Sequence, residues 1–300
     1  MTAAMKRFAR RVLGAYTDEG THHPDGRRRV LHLTDVHGRS WYCKQTRFAV
    51  QWRAEVRAYR RWFAALDGDV PWLRAANRDR RLLLVSAVPG DVVPEPSPET
   101  HRAAGALLRR LHDAGPTRRE PPAKRAQMTA RLDREPWLDG GDFDSSEAAF
   151  IRERMRRFRD LPPSDEVGCH GDYGPHNWLV DDTGHVRAID FAESKWNPPA
   201  FDLARLCLQS WWDRPRLSAA FFDGYGRELS DLEHEYLRLQ VVRSAVAAVQ
   251  WGREHGARHV EDRARSRLAD LMDGRVMDIR DASGARGVVR SVARRVRVAR

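Results

Sequence analysis

From Cys169 to Asp182 the chain reads C-H-G-D-Y-G-P-H-N-W-L-V-D-D, and Ile189-Asp190-Phe191 follows shortly after. The apolar run Trp178 to Val180, the turn-forming Asp181-Asp182-Thr183-Gly184 and the run His185 to Phe191 predict a hairpin. Such a hairpin sets Asn177 at one strand mouth and Asp190 at the other. A polar His-x-Asp-x-x-x-x-Asn loop is thereby folded back on a second acid, which leaves few architectures open.

Each polar group there suits a separate task in phosphoryl transfer. That reaction asks for a hydroxyl held in line with the γ-phosphorus and for neutralised charge on the phosphate oxygens. Asp172, on the loop, can accept a hydrogen bond from the attacking hydroxyl and take its proton, so it is the candidate catalytic base. Mg2+ needs oxygen ligands and keeps several waters and phosphate oxygens, so one carboxylate and one amide oxygen suffice from the protein. Asp190 and Asn177 are the candidate pair. An isolated motif of this kind arises by chance in loops, where Asp and Asn are common. Its weight comes from the hairpin, the second acid and the upstream features.

With 300 residues, 41% of them apolar, the chain can build two modest lobes with a sizeable core. No stretch approaches the roughly 18 uninterrupted apolar residues of a membrane span. After Lys6, Arg7, Arg10 and Arg11 only Val12 and Leu13 follow, so no secretory segment is expected and the location is expected to be cytoplasmic. Cys43, Cys169 and Cys207 are far apart and lack CxxC spacing, which predicts reduced thiols rather than a disulfide framework or a zinc site.

The net charge of +11 raises the question of nucleic acid. From Arg263 to Arg300 there are eleven arginines against Asp270, Asp273, Asp278 and Asp281, so most of the excess is a basic tail. Residues 288–296 would form a basic amphipathic helix, with valines at 289, 292 and 296. Charge runs are usually solvated tails, so no nucleic-acid partner is expected.

Three regions are expected: a nucleotide-binding lobe over 1–91, a catalytic and substrate lobe over 92–272, and the basic tail over 273–300. Arg29 to Asp35 and Ser40 to Gln45 read as strands joined by a turn at 36–39. A helix follows in which Trp52, Val56, Tyr59, Phe63 and Leu66 recur at helical spacing, ending near Gly68. Residues 81–88 form a further strand. After the Pro-rich 94–98 a helix starts with Ser97 as N-cap and stops at Gly115-Pro116. Residues 117–141 read as a polar excursion, a second helix spans about 146–161, and helical patterns fill 201–272. Strands first and helices later describe a two-lobed α+β chain with the site between the lobes.

Lys44 and Glu55 form the next informative pair. A lysine serving the α- and β-phosphates must be aimed, and a carboxylate on an adjacent helix can aim it. Glu55 is the one acidic residue between Asp35 and Asp67, and it lies at the flank of the helix's apolar stripe.

These residues resemble the aminoglycoside phosphotransferase and choline kinase-like group of small-molecule kinases. The matches are Tyr42-Cys43-Lys44, Glu55, the stretch 82–90, Leu107-Leu108-Arg109-Arg110-Leu111-His112, the loop 170–177, Ile189-Asp190-Phe191 and 199–204, in family order. The resemblance implies a protein-kinase-like fold, with a small β-rich N-terminal lobe and a larger, mainly helical C-terminal lobe. It further implies that the backbone between Ser86 and Val88 meets the nucleotide base, and that His170 and Asp202 support the site structurally. Two departures stand out. There is no G-x-G-x-x-G loop, so the triphosphate cover falls somewhere within 18–26, and Ala192 follows Asp190-Phe191 where glycine is usual.

Eleven residues separate Asp190 from Asp202 and no Ala-Pro-Glu follows, which leaves no room for a long activation loop. The expected activity is therefore transfer of the γ-phosphate of ATP or GTP to a hydroxyl of a small molecule. An aminoglycoside-like or other antibiotic or natural product is the first expectation; a sugar, choline-like alcohol or nucleoside metabolite comes next. A regulator that binds nucleotide and acts through its tail is the alternative of another class. A polycationic acceptor would call for acids, for which Asp213, Asp223, Glu228, Asp231, Glu233 and Glu235 are candidates, with Trp211 and Trp212 as stacking platforms.

Overall fold

A computed structural model of the chain describes residues 2–22, 29–66, 68–124, 127 and 141–275. Residues 23–26 of the expected phosphate cover and the two that follow, most of the excursion over 117–141 and the tail from 276, including the expected basic helix at 288–296, lie outside the described residues.

The N-terminal part is a five-stranded antiparallel sheet. Its strands are β1 (Tyr16–His22), β2 (Arg29–Asp35), β3 (Ser40–Gln45), β4 (Leu73–Asn77) and β5 (Leu82–Ser86), in the order β1-β2-β3-β5-β4. Alternation along β3 sends Trp41 and Cys43 to one face and Tyr42 and Lys44 to the other. The first face is closed by a helix the sequence reading did not anticipate, α1 (Thr2–Leu13), whose Met5, Phe8 and Ala9 pack on Leu31, Leu33, Trp41, Cys43, Leu82 and Leu84. Its basic residues obscured this role. Lys6, Arg7, Arg10 and Arg11 alternate with apolar residues at helical spacing and leave one apolar stripe to cover the sheet.

On the opposite side lies α2 (Ala49–Arg57), which continues as a π-helical turn over Ala58–Trp62. The wide turn lets Tyr59, Trp62 and Phe63 all enter the main core, where they join Phe191, Leu107 and Leu203 from later in the chain. The expected helix is thus present, with its period relaxed at its end. The face of the sheet that carries Tyr42 and Val85 consequently shares one core with the helical part.

The chain leaves the sheet through Ser86 and crosses the expected boundary as the short strand β6 (Asp91–Val92). β6 pairs with β9 (Trp178–Val180), and β9 pairs with β10 (Val186–Ala188), the hairpin read from sequence. Its turn is held by the Asp181 carboxylate, which accepts from the Thr183 and His185 amides at 2.9 and 3.1 Å. A second small sheet joins β7 (Arg118–Arg119), β8 (Asp165–Cys169) and β11 (Lys195–Asn197), so that β8 delivers the chain directly into the polar loop.

Helix α3 (Pro98–Ala114) begins at Ser97, whose hydroxyl accepts from the Thr100 amide at 3.2 Å, and α4 (Ser145–Asp160) carries a capping box from Asp144. The remaining helices are α5 (Pro215–Tyr225), α6 (Asp231–Glu254) and α7 (Arg258–Met272), with an irregular helical stretch over 199–211 before them. Helices α3 and α5 meet where Gly105 lies against the Phe221 carbonyl, and a Cβ there would stand 2.0 Å from that oxygen. Among the described residues no helix is long and apolar enough to cross a membrane.

Candidate active site

Two clusters of polar groups face one another at the junction of the sheet and the helical part. The first is built on β3 and α2. Lys44 Nζ donates to Glu55 Oε1 at 2.6 Å and to Asp190 Oδ1 at 3.3 Å. Glu55 is fully buried, and the Tyr59 hydroxyl donates to the same Oε1 at 3.3 Å. Burial works against the charge on Lys44, but the carboxylates of Asp190 and Glu55 override it and raise its pKa. The ammonium is held protonated. For Glu55 burial dominates and pushes the carboxyl up against the pull of Lys44.

The second cluster is the polar loop. Asn177 Nδ2 donates to the Asp172 carbonyl at 2.9 Å and to Asp172 Oδ2 at 3.3 Å, which fixes the amide's orientation. His176 Nε2 lies 3.2 Å from the same Oδ2. The other carboxylate oxygen of Asp172 accepts from Arg205 Nη1, and Arg205 Nε donates to Gln209 Oε1 at 3.2 Å. The Ile189 amide donates to the Asn177 carbonyl at 3.1 Å, so Asn177 and Asp190 are held at adjacent strand ends.

Asp190 has φ of 64°, the left-handed region that non-glycine residues seldom occupy. The surrounding bonds hold it there, aimed at Lys44. Ala192, where glycine is usual in the family it resembles, is buried; the left-handed residue of this loop is the aspartate.

His170 and Asp202 lie beneath the loop. Asp202 accepts the His170 amide at 2.8 Å and the Gly171 amide at 2.7 Å, and His112 Nε2 lies 3.1 Å from its Oδ2. Burial alone would raise its pKa, yet the hydrogen bond and charge interaction with His112 and the Gly171 amide together hold it below the usual carboxylate range. The far nitrogen of His112 lies 2.8 Å from the Tyr225 hydroxyl, which extends the brace to α5. His170 Nε2–H donates to the Ile189 carbonyl at 3.0 Å, leaving Nδ1 to accept from the Asp172 amide at 3.3 Å. That pattern requires the neutral ring, and burial lowers its pKa accordingly. Gly171 has φ of 87°, and a Cβ there would stand 2.0 Å from the Glu193 carbonyl.

Ser86 and Val88 lie where β5 leaves the sheet. The Ser86 amide and hydroxyl are engaged by Trp72, both at 2.8 Å, and the Ala87 amide donates to the Ser40 carbonyl at 2.9 Å. Lys44, Glu55, Asn177, Asp190 and Asp172 come together, with His170 and Asp202 behind them and Ser86 and Val88 at the edge of the sheet. His112, His176 and Arg205 join the site without having been singled out. For Arg205 a signal existed, since it follows Asp202 by three residues, within one helical turn.

Four of the six acids suggested for a cationic pocket are already paired with arginines. Asp213 is bonded to Arg267, Asp223 to Arg102, Glu233 to Arg227, and Glu235 to both Arg157 and Arg238.

With this geometry in place, the chain belongs to the phosphotransferase enzyme family: the family's model matches residues 21–239. An aminoglycoside 3'-phosphotransferase of Streptomyces ribosidificus is 28% identical over 193 residues, covering 57% of this chain and 73% of that protein. Among solved structures, the GDP and kanamycin complex of APH(2")-IIia superposes with a TM-score of 0.64 at 13% identity, covering 89% of this chain and 97% of that one. The choline kinase LicA from Streptococcus pneumoniae does so with 0.64 at 18% identity, covering 90% and 99%. The fold is α+β and protein-kinase-like, and the protein is a phosphotransferase with an alcohol group as acceptor.

Proposed function

We propose that the protein transfers the γ-phosphate of ATP or GTP to a hydroxyl of an antibiotic or related natural product, with Asp172 as catalytic base. The observation that carries this reading is the junction itself, where Lys44 reaches both Glu55 and Asp190 while Asn177 ties Asp172 to the strand end beside Asp190. The GDP in one structural relative, and kanamycin beside it, support a nucleotide donor and a hydroxyl-bearing acceptor.

The acceptor hydroxyl bonds to Asp172, whose Oδ1 keeps a second lone pair beyond its contact with Arg205 while Oδ2 is engaged by His176 and Asn177. As the acceptor oxygen bonds to the γ-phosphorus, the bond from that phosphorus to the bridging oxygen breaks, and the hydroxyl proton passes to the Asp172 carboxylate. Lys44, kept charged by its two carboxylates, meets the negative charge of the phosphates. The donor set also fits Mg2+: the Asp190 carboxylate and the Asn177 amide are hard oxygen donors on adjacent strand ends, and Asn177's amide nitrogen is already committed to Asp172. When bound, the ion would neutralise phosphate oxygens from these two residues. In this reading residues 1–91 hold the nucleotide, with Ser86 to Val88 against its base, and 92–272 hold the acceptor. The nucleotide donor and three buried cysteines in thiol form fit a cytoplasmic site of action.

The test is nucleotide consumption by the purified chain with Mg2+ and ATP or GTP, against pooled antibiotics, sugars, nucleosides and amino alcohols. Acceptor-dependent turnover lost in Asp172→Ala supports the reading. Turnover that survives the substitution overturns it.

A further inference from the structure

One cavity of about 240 Å³ lies among α4, α6, the helical stretch 204–212 and the end of α7. Its apolar walls come from Phe150, Trp212, Leu239 and Leu271. The charged groups at it are four arginines, Arg154, Arg157, Arg238 and Arg275, and a single carboxylate, Glu235. Glu235 is shared by Arg157 at 3.0 Å and Arg238 at 3.3 Å, so its charge is spent within the wall. Arg154 stacks on Phe150 at 4.8 Å from the ring centroid and extends the flat wall. Arg275 is matched by Asp270 at 3.3 Å, which leaves Arg154, Arg157 and Arg238 against Glu235 and a positive local field.

The cavity is connected to the reacting end of the site by one helical stretch. Arg205 holds Asp172, and Cys207 and Trp212, further along the same stretch, line the cavity. The stretch that fixes Asp172 thus also supplies part of the cavity wall.

Resting on the phosphotransferase reading above, we infer that the acceptor is a neutral or anionic hydroxyl compound with a flat apolar body, which lies in this cavity, and not a polycation. A ring system fills the apolar walls, the arginine rim favours a carboxylate or other anionic substituent, and a sugar-type hydroxyl extends toward Asp172. A polycationic aminoglycoside would place its ammonium groups against four guanidinium groups with no unspent acid among the lining side chains.

Calorimetric titration of the full chain separates the possibilities, using 4-nitrophenyl glucuronide, 4-nitrophenyl glucoside and kanamycin as probes. The two aryl glycosides should bind more tightly than kanamycin. The double variant Arg154→Glu/Arg238→Glu should weaken the glucuronide at least tenfold, shift the glucoside by less than threefold, and strengthen kanamycin. Each single variant gives the same ordering should the double variant misfold. Tighter binding of kanamycin than of the glucuronide overturns the inference, as does an absence of aryl glycoside binding or a glucuronide affinity indifferent to both arginines. Since these are binding readouts, they stand apart from turnover. Aryl glycoside binding together with no turnover across the whole acceptor panel would count against the kinase reading and leave the ligand class of the cavity in place.

Discussion

Lys44 Nζ stands 2.6 Å from Glu55 Oε1 and 3.3 Å from Asp190 Oδ1, so a single ammonium joins a strand of the N-terminal sheet, its following helix and the end of the C-terminal hairpin. The contact sets the relation between the part of the chain proposed to hold the nucleotide and the part proposed to do the chemistry. It also makes Glu55 dependent on a single cation, since its other partner is the neutral Tyr59 hydroxyl.

Lys44→Met should lower turnover at least 100-fold. It also leaves the buried Glu55 carboxylate without its cation, a loss of about 3 kcal/mol at neutral pH. Glu55 already has its pKa raised by burial, and loss of Lys44 raises it further. A carboxyl raised above its unfolded value makes the folded state the better proton binder, so the variant should lose stability relative to wild type as pH rises from about 5 to 8. Urea denaturation of both proteins across that range gives the difference directly; a constant difference would argue against an unpaired Glu55.

Replacing Asp172 by Asn keeps the hydrogen-bonding shape and removes the base. Turnover should fall by about 10²–10⁴-fold while nucleotide affinity is preserved, as judged by fluorescence titration with a labelled nucleotide.

Asp202→Asn tests the brace under the loop. The carboxylate is fully desolvated and accepts two backbone amides, and an amide side chain cannot serve both oxygens in the same way. A stability loss of about 2–4 kcal/mol is expected, with turnover lost through disorder of the loop. Thermal unfolding with and without nucleotide measures it.

Gly171→Ala should sharply lower turnover although it adds only one methyl group. A Cβ at φ of 87° and 2.0 Å from the Glu193 carbonyl cannot be accepted without moving the loop that carries Asp172. A loss of about 2 kcal/mol or more is expected. Unchanged turnover and melting temperature would show that the loop relaxes freely.

His170 is buried and neutral, with its pKa depressed by burial. The unfolded chain, with a histidine pKa of about 6.5, then binds more protons than the folded one below that value. Stability is therefore full above about pH 6.5 and declines as pH falls through it. His170→Gln, which retains a donor for the Ile189 carbonyl, should flatten the decline between pH 7 and 5 in denaturant titrations.

Much of the site was legible because its chemistry is local. The loop 170–177 and the hairpin after it are continuous in sequence, and Asp181 in the turn and Ser97 at the helix start act on residues two to three positions away. Lys44 and Glu55 were legible as a pair because a strand and the helix that follows it are neighbours in the chain. Helix α1 was missed because its basic face drew attention from a narrow apolar stripe that has meaning only against the sheet it covers. Arg205, His112 and the pairing of Asp213 and Asp223 with arginines were missed for a different reason: their partners are distant, as with Asp172 and Arg205 or Asp223 and Arg102.

The sequence by itself determined which groups are available for catalysis, the short elements that carry them and the α+β order of the chain, since turn chemistry, caps and periodicity act over a few residues. The tertiary structure alone decided which of those groups meet. Packing of helices across one shared core brought Asp202 under His170, set Arg205 on Asp172 and gathered arginines around an apolar cavity, and such placements depend on contacts between residues that the chain keeps far apart.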